Sequence, residues 1–184
     1  VIDAGGDGID VNGPIEMSGG VVIINGPTNN ANGPVDYTGS FKITGGDFLA
    51  VGSSGMAQGP STSSTQYSVM LTLPSVMPAG TMVHIESDEG EEVLTFVPTK
   101  AYQSVVFSAS DLQNGATYVV YTGGSATGTV ADGLSSGGTY TPGTKVTSFT
   151  ISGIVTNAGS AGNKNPGNNP VPDPNANPDT SPRN

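Results

Sequence analysis

The chain has 184 residues with 28 glycines, 14 prolines and a formal net charge of −10, and it contains neither cysteine nor tryptophan. The lack of cysteine excludes disulfides, zinc thiolates and cysteine nucleophiles. Only five residues are lysine or arginine, which argues against nucleic acid and anionic membranes as partners because both need basic patches. No apolar run is long enough to span a membrane.

A tandem repeat with a period of 26 residues organises the first part of the chain. Asp7–Gly26 aligns with Gly33–Gly52, so that Asp10 meets Asp36 and glycines recur at equal positions. A repeat of this period is typical of solenoids, in which each copy buries its apolar face by stacking on the next. The aligned apolar pairs are Ile9/Val35, Ile15/Phe41, Met17/Ile43, Val22/Phe48 and Ile23/Leu49.

Each copy has the pattern of three short strands joined by tight corners. Ile15–Ser18 and Phe41–Thr44 alternate apolar with polar residues, and Gly-Gly and Asn-Gly-Pro mark the corners. The repeat therefore predicts the right-handed coils of a parallel β-helix over residues 1–60, with stacked rungs about 4.8 Å apart. Glu16 would then lie beside Lys42, a favourable pair of opposite charge. An antiparallel sandwich with chance internal similarity is the alternative.

Carboxylates recur at one corner of these coils. Asp10 stacked on Asp36 would place like charges next to each other, which destabilises a strand pair unless water or a cation separates them. Gly5–Asp10 fits the first six positions of the calcium-binding pattern G-G-x-G-x-D, although Asn12 stands where that pattern has an apolar residue. We therefore predict a calcium site, with a solvated corner as the alternative. The predicted ligands are Asp3, Asp7, Asp10, Asp36 and Asn12.

Beyond the coils the sequence predicts a second β-rich region. Ser53–Thr65 is small and polar and is predicted to be a loop that leaves the coils. Residues 61–156 are predicted to form a small antiparallel β module that caps the helix, whose terminal rung would otherwise present unpaired backbone groups. Its predicted strands are Tyr67–Leu73, Thr81–Ile85, Glu92–Val97, Ser104–Ser108, Thr117–Thr122 and Val146–Ser152, with a hairpin turn at Asp88–Gly90. Outward apolar residues of the coils predict a face covered by this module; they are Val21, Ile23, Leu49 and Val51.

Residues 157–184 have a different composition, with six prolines among asparagine, glycine and aspartate. They are predicted to form an extended tail, which cannot build a core and is expected to lie along another surface such as a neighbouring subunit. Because the chain opens inside its repeat, we expect a longer precursor with earlier coils. The abundance of glycine, asparagine, threonine and serine is typical of secreted bacterial surface proteins.

Four stretches carry a resemblance to the bacterial secreted family of carbohydrate-binding domain-containing proteins. They are Gly6–Asp10, Met17–Thr28, Gly52–Gln58 and Thr117–Gly124. The resemblance covers about residues 1–155 and the C-terminal portion of the family domain. It implies a parallel β-helix related in fold to polysaccharide lyases, with calcium in the helix and binding to cellulose or acidic polysaccharide.

The resemblance also carries the calcium ligands of the family to particular residues. They correspond to Asp7 and Asp10, and less directly to Asp36, which follows Gly-Pro where the family has Asp-Gly. Calcium is therefore the cofactor that the resemblance implies.

The sequence argues against catalysis. A lyase of this kind needs a basic residue beside calcium to abstract a proton. Before the tail the chain has no arginine, and its lysines are Lys42, Lys100 and Lys145. The single histidine, His84, lies on a predicted strand and is interpreted as structural or exposed. Paired carboxylates can also hydrolyse glycosides, but corner and metal roles explain the aspartates here.

We expect a non-catalytic, calcium-binding protein of the bacterial cell surface that binds polysaccharide. The candidate platforms for stacking on sugar rings are Tyr37, Tyr67 and Tyr102, each of which could instead be a half-buried tyrosine of a strand. At a net charge of −10, binding to an anionic polysaccharide would need bridging calcium. The alternative is a structural subunit that assembles into a surface fibre, or a homo-oligomer, through its coil ends and tail. A polysaccharide lyase is the third hypothesis.

Overall fold

Every regular element in residues 1–159, the part of the chain that the computed structural model describes, is a β-strand. The predicted all-β class is therefore confirmed, and this part contains no helix with the length and hydrophobicity needed to cross a membrane. The first seven strands are β1 (Ile2–Asp3), β2 (Ile9–Val11), β3 (Ile15–Met17), β4 (Val21–Asn25), β5 (Val35–Tyr37), β6 (Phe41–Ile43) and β7 (Asp47–Gly52). The others are β8 (Ser68–Met77), β9 (Val83–Ser87), β10 (Glu92–Phe96), β11 (Tyr102–Ser108), β12 (Thr117–Thr122), β13 (Ser125–Ala126), β14 (Thr129–Ala131), β15 (Leu134–Ser136), β16 (Tyr140–Thr141), β17 (Thr144–Thr150) and β18 (Val155–Gly159).

The first seven strands pair in parallel with their equivalents in the neighbouring repeat. Strand β2 pairs with β5, β3 with β6, and β4 with β7, while β1 pairs with the other side of β4. The register that the 26-residue repeat predicts is confirmed at each position. The partners include Asp10 with Asp36, Ile15 with Phe41, Glu16 with Lys42, Met17 with Ile43, and Val22 with Phe48.

Apolar side chains at the repeated positions form one core between these strands. Phe41 contacts Phe48 edge to face, with 5.0 Å between ring centroids, and both side chains are almost fully buried. The alternation of apolar and polar residues places these rings on one side of short strands, where parallel neighbours stack them. The first repeat is more open than the second, since Ile9 and Ile15 are only partly buried whereas Val35 is fully buried.

Two glycines allow the backbones of the two repeats to approach closely. A Cβ atom at Gly8 would lie 2.4 Å from the carbonyl oxygen of Pro34. A Cβ atom at Gly46 would lie 2.5 Å from the carbonyl oxygen of Gly20, and Gly46 has a φ of +90°. A side chain at either position would clash with the backbone, so glycine is required at Gly8 and Gly46 for steric reasons, and at Gly46 also for its conformation.

The segment predicted to leave the coils, Ser53–Thr65, instead runs along the open side of the second repeat. The Ser61 amide donates to the Phe41 carbonyl, and the Ser61 hydroxyl accepts the Phe41 amide at 2.9 Å. The Ser64 hydroxyl accepts the Ile43 amide at 3.0 Å. Short polar side chains thus satisfy the backbone groups that a further repeat would bind, and this need explains the run of serines in the segment.

Two six-stranded sheets, one mixed and one antiparallel, pack face to face, and β13 and β16 form a separate two-stranded sheet. One six-stranded sheet has the order β1-β4-β7-β11-β8-β18, so that β11 pairs antiparallel with the outer edge of β7. The other six-stranded sheet has the order β14-β15-β10-β9-β12-β17 and is antiparallel throughout. Strands β1, β4 and β7 of the repeat region therefore share one continuous sheet with β8, β11 and β18 of the second region.

The apolar face that was predicted to be covered is covered, with one exception. Ile23, Leu49 and Val51 are buried in a core shared with the second region. Val21 lies at the margin of this core and remains 57% exposed. The shared core therefore includes Ile23 but not Val21, the first residue of β4.

The predicted strands after residue 66 all have an observed counterpart, and β9 and β10 pair around the predicted hairpin turn at Asp88–Gly90. The short strands β13 to β16 and the last strand, β18, were not predicted. Strand β18 pairs in parallel with β8 and extends to Gly159, which lies inside the range predicted as tail. The rest of the predicted tail, residues 160–184, lies outside the described residues.

Candidate functional site

The predicted calcium corner brings two of its five residues together. Asp10 and Asp36 are direct partners across β2 and β5. Asp36 accepts a hydrogen bond from the Gln58 amide at 3.3 Å, and Asp7 accepts the backbone amide of Gly33 at 2.7 Å. The hydrogen bond of the Asp7 carboxylate therefore connects the start of the second repeat to the first repeat.

Two further predicted ligands, Asp3 and Asn12, have different surroundings. Asp3 belongs to β1 and forms an ion pair with Lys100, and the Thr99 hydroxyl donates to its second oxygen at 3.3 Å. The hydrogen bond from Lys100 holds the pKa of the Asp3 carboxyl below its ordinary value. Asn12 follows β2 and is exposed. Asp3 thus connects β1 to the loop before β11.

Within residues 1–159, no three acidic, histidine or cysteine side chains come close enough together to form a metal centre. A calcium ion at the Asp10–Asp36 pair would need carbonyl, amide or water oxygens to complete its coordination, which calcium accepts. Calcium at this corner therefore stays a prediction.

Two of the three predicted sugar platforms are core residues. Tyr37 is 7% exposed, contacts Phe41 edge to face and donates its hydroxyl to the Gly59 carbonyl at 2.8 Å. Tyr102 is 1% exposed and donates to the Thr81 carbonyl at 3.0 Å, and its burial raises the pKa of its hydroxyl. A ring enclosed in this way offers no face to a sugar, so these two residues act as buried tyrosines with satisfied hydroxyls.

Tyr67, the third predicted platform, is partly exposed and lines a surface cleft of about 390 Å³. The cleft lies between Thr44, which follows β6 in the second repeat, and the loop that joins β11 to β12. Its lining combines this aromatic ring with amide and hydroxyl side chains, including Thr44, Gln66, Gln113 and Asn114. An aromatic ring beside several neutral hydrogen-bonding groups is the combination that a sugar ring requires.

The position of the Tyr67 cleft is fixed by the hydrogen bonds of its neighbour. The Gln66 amide nitrogen donates to the Gly46 carbonyl at 2.8 Å and to the Ser108 hydroxyl at 2.9 Å. The Ser108 hydroxyl in turn donates to the Tyr67 carbonyl at 2.9 Å. The cleft is therefore anchored to both the repeats and the central strand β11.

A second cluster surrounds His84 on the outer face of the antiparallel sheet, where sequence reasoning expected no function. His84 is 1% exposed because the Tyr140 ring stacks on it, with centroids 3.8 Å apart. Its two ring nitrogens lie 2.7 Å from the Thr95 hydroxyl and 3.2 Å from a Glu86 carboxylate oxygen. The His84 side chain points away from the buried residues on either side of it, as predicted. It is buried because Tyr140, in the segment between β12 and β17, covers it.

Tyr121 and Tyr140 complete this cluster, and Tyr140 lies on a strand that the sequence did not predict. Burial and then the nearby Glu86 carboxylate raise the pKa of the Tyr121 hydroxyl, and burial raises the pKa of Tyr140. Tyr140 lies on β16, whose two residues carry no periodicity from which a strand could be inferred. The position of Tyr121 could have been predicted from the alternation along β12, which places its side chain on the other face of the strand from the buried Val120.

Comparisons with known proteins returned no match: no family model, no curated protein and no solved structure is significantly similar to the chain. The candidate sites are therefore assessed on their own geometry.

Proposed function

We propose that the chain is a non-catalytic, polysaccharide-binding protein of the bacterial cell surface, and that its first two repeats are coils of a parallel β-helix. The single observation that supports sugar binding most is the cleft at Tyr67, which this partly exposed tyrosine lines together with amide and hydroxyl side chains. The parallel pairing of three strands per repeat in the predicted register supports the β-helix.

The composition of the Tyr67 cleft favours a neutral ligand. Its lining residues include no carboxylate and no lysine, so it contributes no charge that would select an ionic group. Cellulose-like chains, which present hydroxyl groups and apolar ring faces, suit this lining better than polyuronates do. Binding to an acidic polysaccharide would in addition have to overcome repulsion by a chain of net charge −10.

Replacing Tyr67 with alanine should weaken binding to soluble cello-oligosaccharides by about tenfold, which corresponds to about 1.4 kcal/mol, because the stacking surface is removed. Isothermal titration calorimetry with cellohexaose, and depletion on insoluble cellulose, would measure the change. Tyr121→Ala is the matched control, since Tyr121 is also a partly exposed tyrosine of a strand but lies on the other sheet. Equal binding by wild type and Tyr67→Ala would refute the site.

Calcium binding at the Asp10–Asp36 pair should raise the melting temperature of metal-stripped protein by about 5–10 °C at a hundredfold excess over its dissociation constant. The carboxylates repel each other without the cation, so its binding stabilises the folded state. Asp36→Asn should abolish the rise, whereas Asp88→Asn, at an exposed hairpin, should leave it unchanged. Absence of any rise at millimolar calcium would remove the cofactor from the proposal.

A structural subunit of a surface fibre is the second candidate, and the partly exposed apolar side chains of the first repeat favour it. Ile9 and Ile15 are partly exposed, while their partners Val35 and Phe41 are buried. Exposed strand edges with apolar neighbours are sites of association between chains. Electron microscopy of the purified full chain would show filaments if this function is correct and dispersed particles if it is not.

A further inference from the structure

The loop between β11 and β12, residues 109–116, supplies more than half of the lining of the Tyr67 cleft. Five of the nine lining residues belong to this loop; they are Ala109, Ser110, Leu112, Gln113 and Asn114. Ala109 and Leu112 are buried in the core between the two sheets, whereas the other three are exposed. The conformation of the loop therefore determines which polar groups lie beside Tyr67.

The hydroxyl of Tyr118, the second residue of β12, holds this loop by two hydrogen bonds. It accepts the backbone amide of Gln113 at 2.9 Å and donates to the backbone carbonyl of Asp111 at 3.0 Å. The Tyr118 side chain is buried, and its ring stacks on that of Phe149 with 5.4 Å between centroids. Because the core fixes the ring, the hydroxyl gives the loop a fixed point of attachment.

The side-chain amides of Gln113 and Asn114 are available to a ligand. Within residues 1–159, neither of these two amide groups forms a hydrogen bond with another residue. The Gln66 amide nitrogen, in contrast, already donates to the Gly46 carbonyl and the Ser108 hydroxyl. A carboxamide combines two N–H donors with an acceptor oxygen, so it can bind adjacent hydroxyl groups of a neutral sugar.

We propose that Tyr118 is a positioning residue of the Tyr67 cleft and acts through Gln113, whose side chain hydrogen-bonds the hydroxyl groups of a bound neutral polysaccharide. This inference rests on the proposed function, because it assigns two further residues to the same cleft. The Tyr118 hydroxyl binds the backbone amide of Gln113 itself, and so fixes the point from which the side chain starts. A loop that is ordered before the sugar arrives loses less conformational freedom on binding.

Tyr118→Phe tests the two hydrogen bonds without any ligand, because it keeps the ring and removes only the hydroxyl. Hydrogen exchange of the Gln113 backbone amide, measured on the full chain, should become about fivefold faster in this variant. Tyr102→Phe is the matched control. It also removes the hydroxyl of a buried tyrosine, but that hydroxyl donates to the Thr81 carbonyl, and Tyr102 lies at the other end of β11 from the loop. Exchange at Gln113 should be unchanged in the control.

Calorimetric titration with cellohexaose tests the consequence for binding. Tyr118→Phe should weaken binding by about fivefold, because a loop that samples other conformations is competent to bind for only part of the time. Tyr102→Phe should stay within about twofold of wild type. Gln113→Ala should also weaken binding, and adding Tyr118→Phe to it should cost less than about twofold more, since the residue that Tyr118 positions is already gone. Circular dichroism melting checks that each variant is folded.

Several outcomes would overturn the proposal. Unchanged exchange at Gln113 in Tyr118→Phe would mean that the hydroxyl does not order the loop. Faster exchange with unchanged affinity would leave the proposed function standing but remove Tyr118 from it. Equal losses of affinity in Tyr118→Phe and Tyr102→Phe, or fully additive losses with Gln113→Ala, would mean that Tyr118 does not act through Gln113. If the wild type does not bind cellohexaose, the proposed function fails and this inference fails with it, whatever the exchange shows.

Discussion

Replacing Gly46 with alanine should lower the free energy of unfolding by about 3–5 kcal/mol, because two costs fall on one position. The residue has a φ of +90°, a conformation that side chains disfavour. A Cβ atom would also lie within 3 Å of three backbone atoms of Gly19 and Gly20 in the first repeat. Backbone cannot move aside as a flexible side chain does, so the two repeats must separate.

Gly20→Ala is the matched control for this prediction. Gly20 occupies the equivalent corner of the first repeat with a φ of +81°, but a Cβ atom there would meet nothing within 4 Å. Only the conformational cost remains, about 1 kcal/mol. Denaturation by urea, followed by far-ultraviolet circular dichroism because the chain has no tryptophan, would measure both variants. Equal losses would contradict the close approach of the two repeats.

Phe41→Ala should have a comparable effect, about 3–5 kcal/mol, because it leaves a cavity between the repeats. The Phe41 side chain is 1% exposed and contacts both Tyr37 and Phe48 edge to face. Its partner across the strand pair, Ile15, is only partly buried. Ile15→Ala should therefore cost less, about 1–2 kcal/mol, since less apolar surface is lost and no closed cavity forms.

The comparison of Phe41→Ala with Ile15→Ala tests which side of the repeats is open. Urea denaturation of both variants gives the difference in the free energy of unfolding. A loss in Ile15→Ala as large as that in Phe41→Ala would show that something covers the first repeat in solution. Such a result would favour association of chains at this side, because the described residues do not cover it.

The register of the repeats was predictable because aligning the two copies of the repeat shows directly which positions are equivalent. Glycines and apolar residues recur 26 positions apart, and this spacing predicted the strand partners of Asp10 and Ile15. The strands of the second region were found from alternation, and the hairpin turn from Asp88 to Gly90 was found from its turn residues. These signals are local or strictly periodic.

The features that were missed depend on contacts between distant segments. The serines of Ser53–Thr65 resemble a loop in composition, and only their place beside Phe41 and Ile43 shows that they bind backbone. Whether a strand tyrosine such as Tyr37 is exposed depends on what packs across it, which alternation does not reveal. Tyr67 was found because a tyrosine of an alternating strand was considered, but its cleft is made by residues more than 40 positions away.

The serine-rich segment beside the second repeat makes the two sides of the repeats unequal. On the side of the second repeat, Ser61, Ser64 and strand β11 already bind the backbone groups that another strand would need. Another chain could therefore pair with the repeats there only after displacing these contacts. Contact between molecules on that side must use side chains and not the backbone.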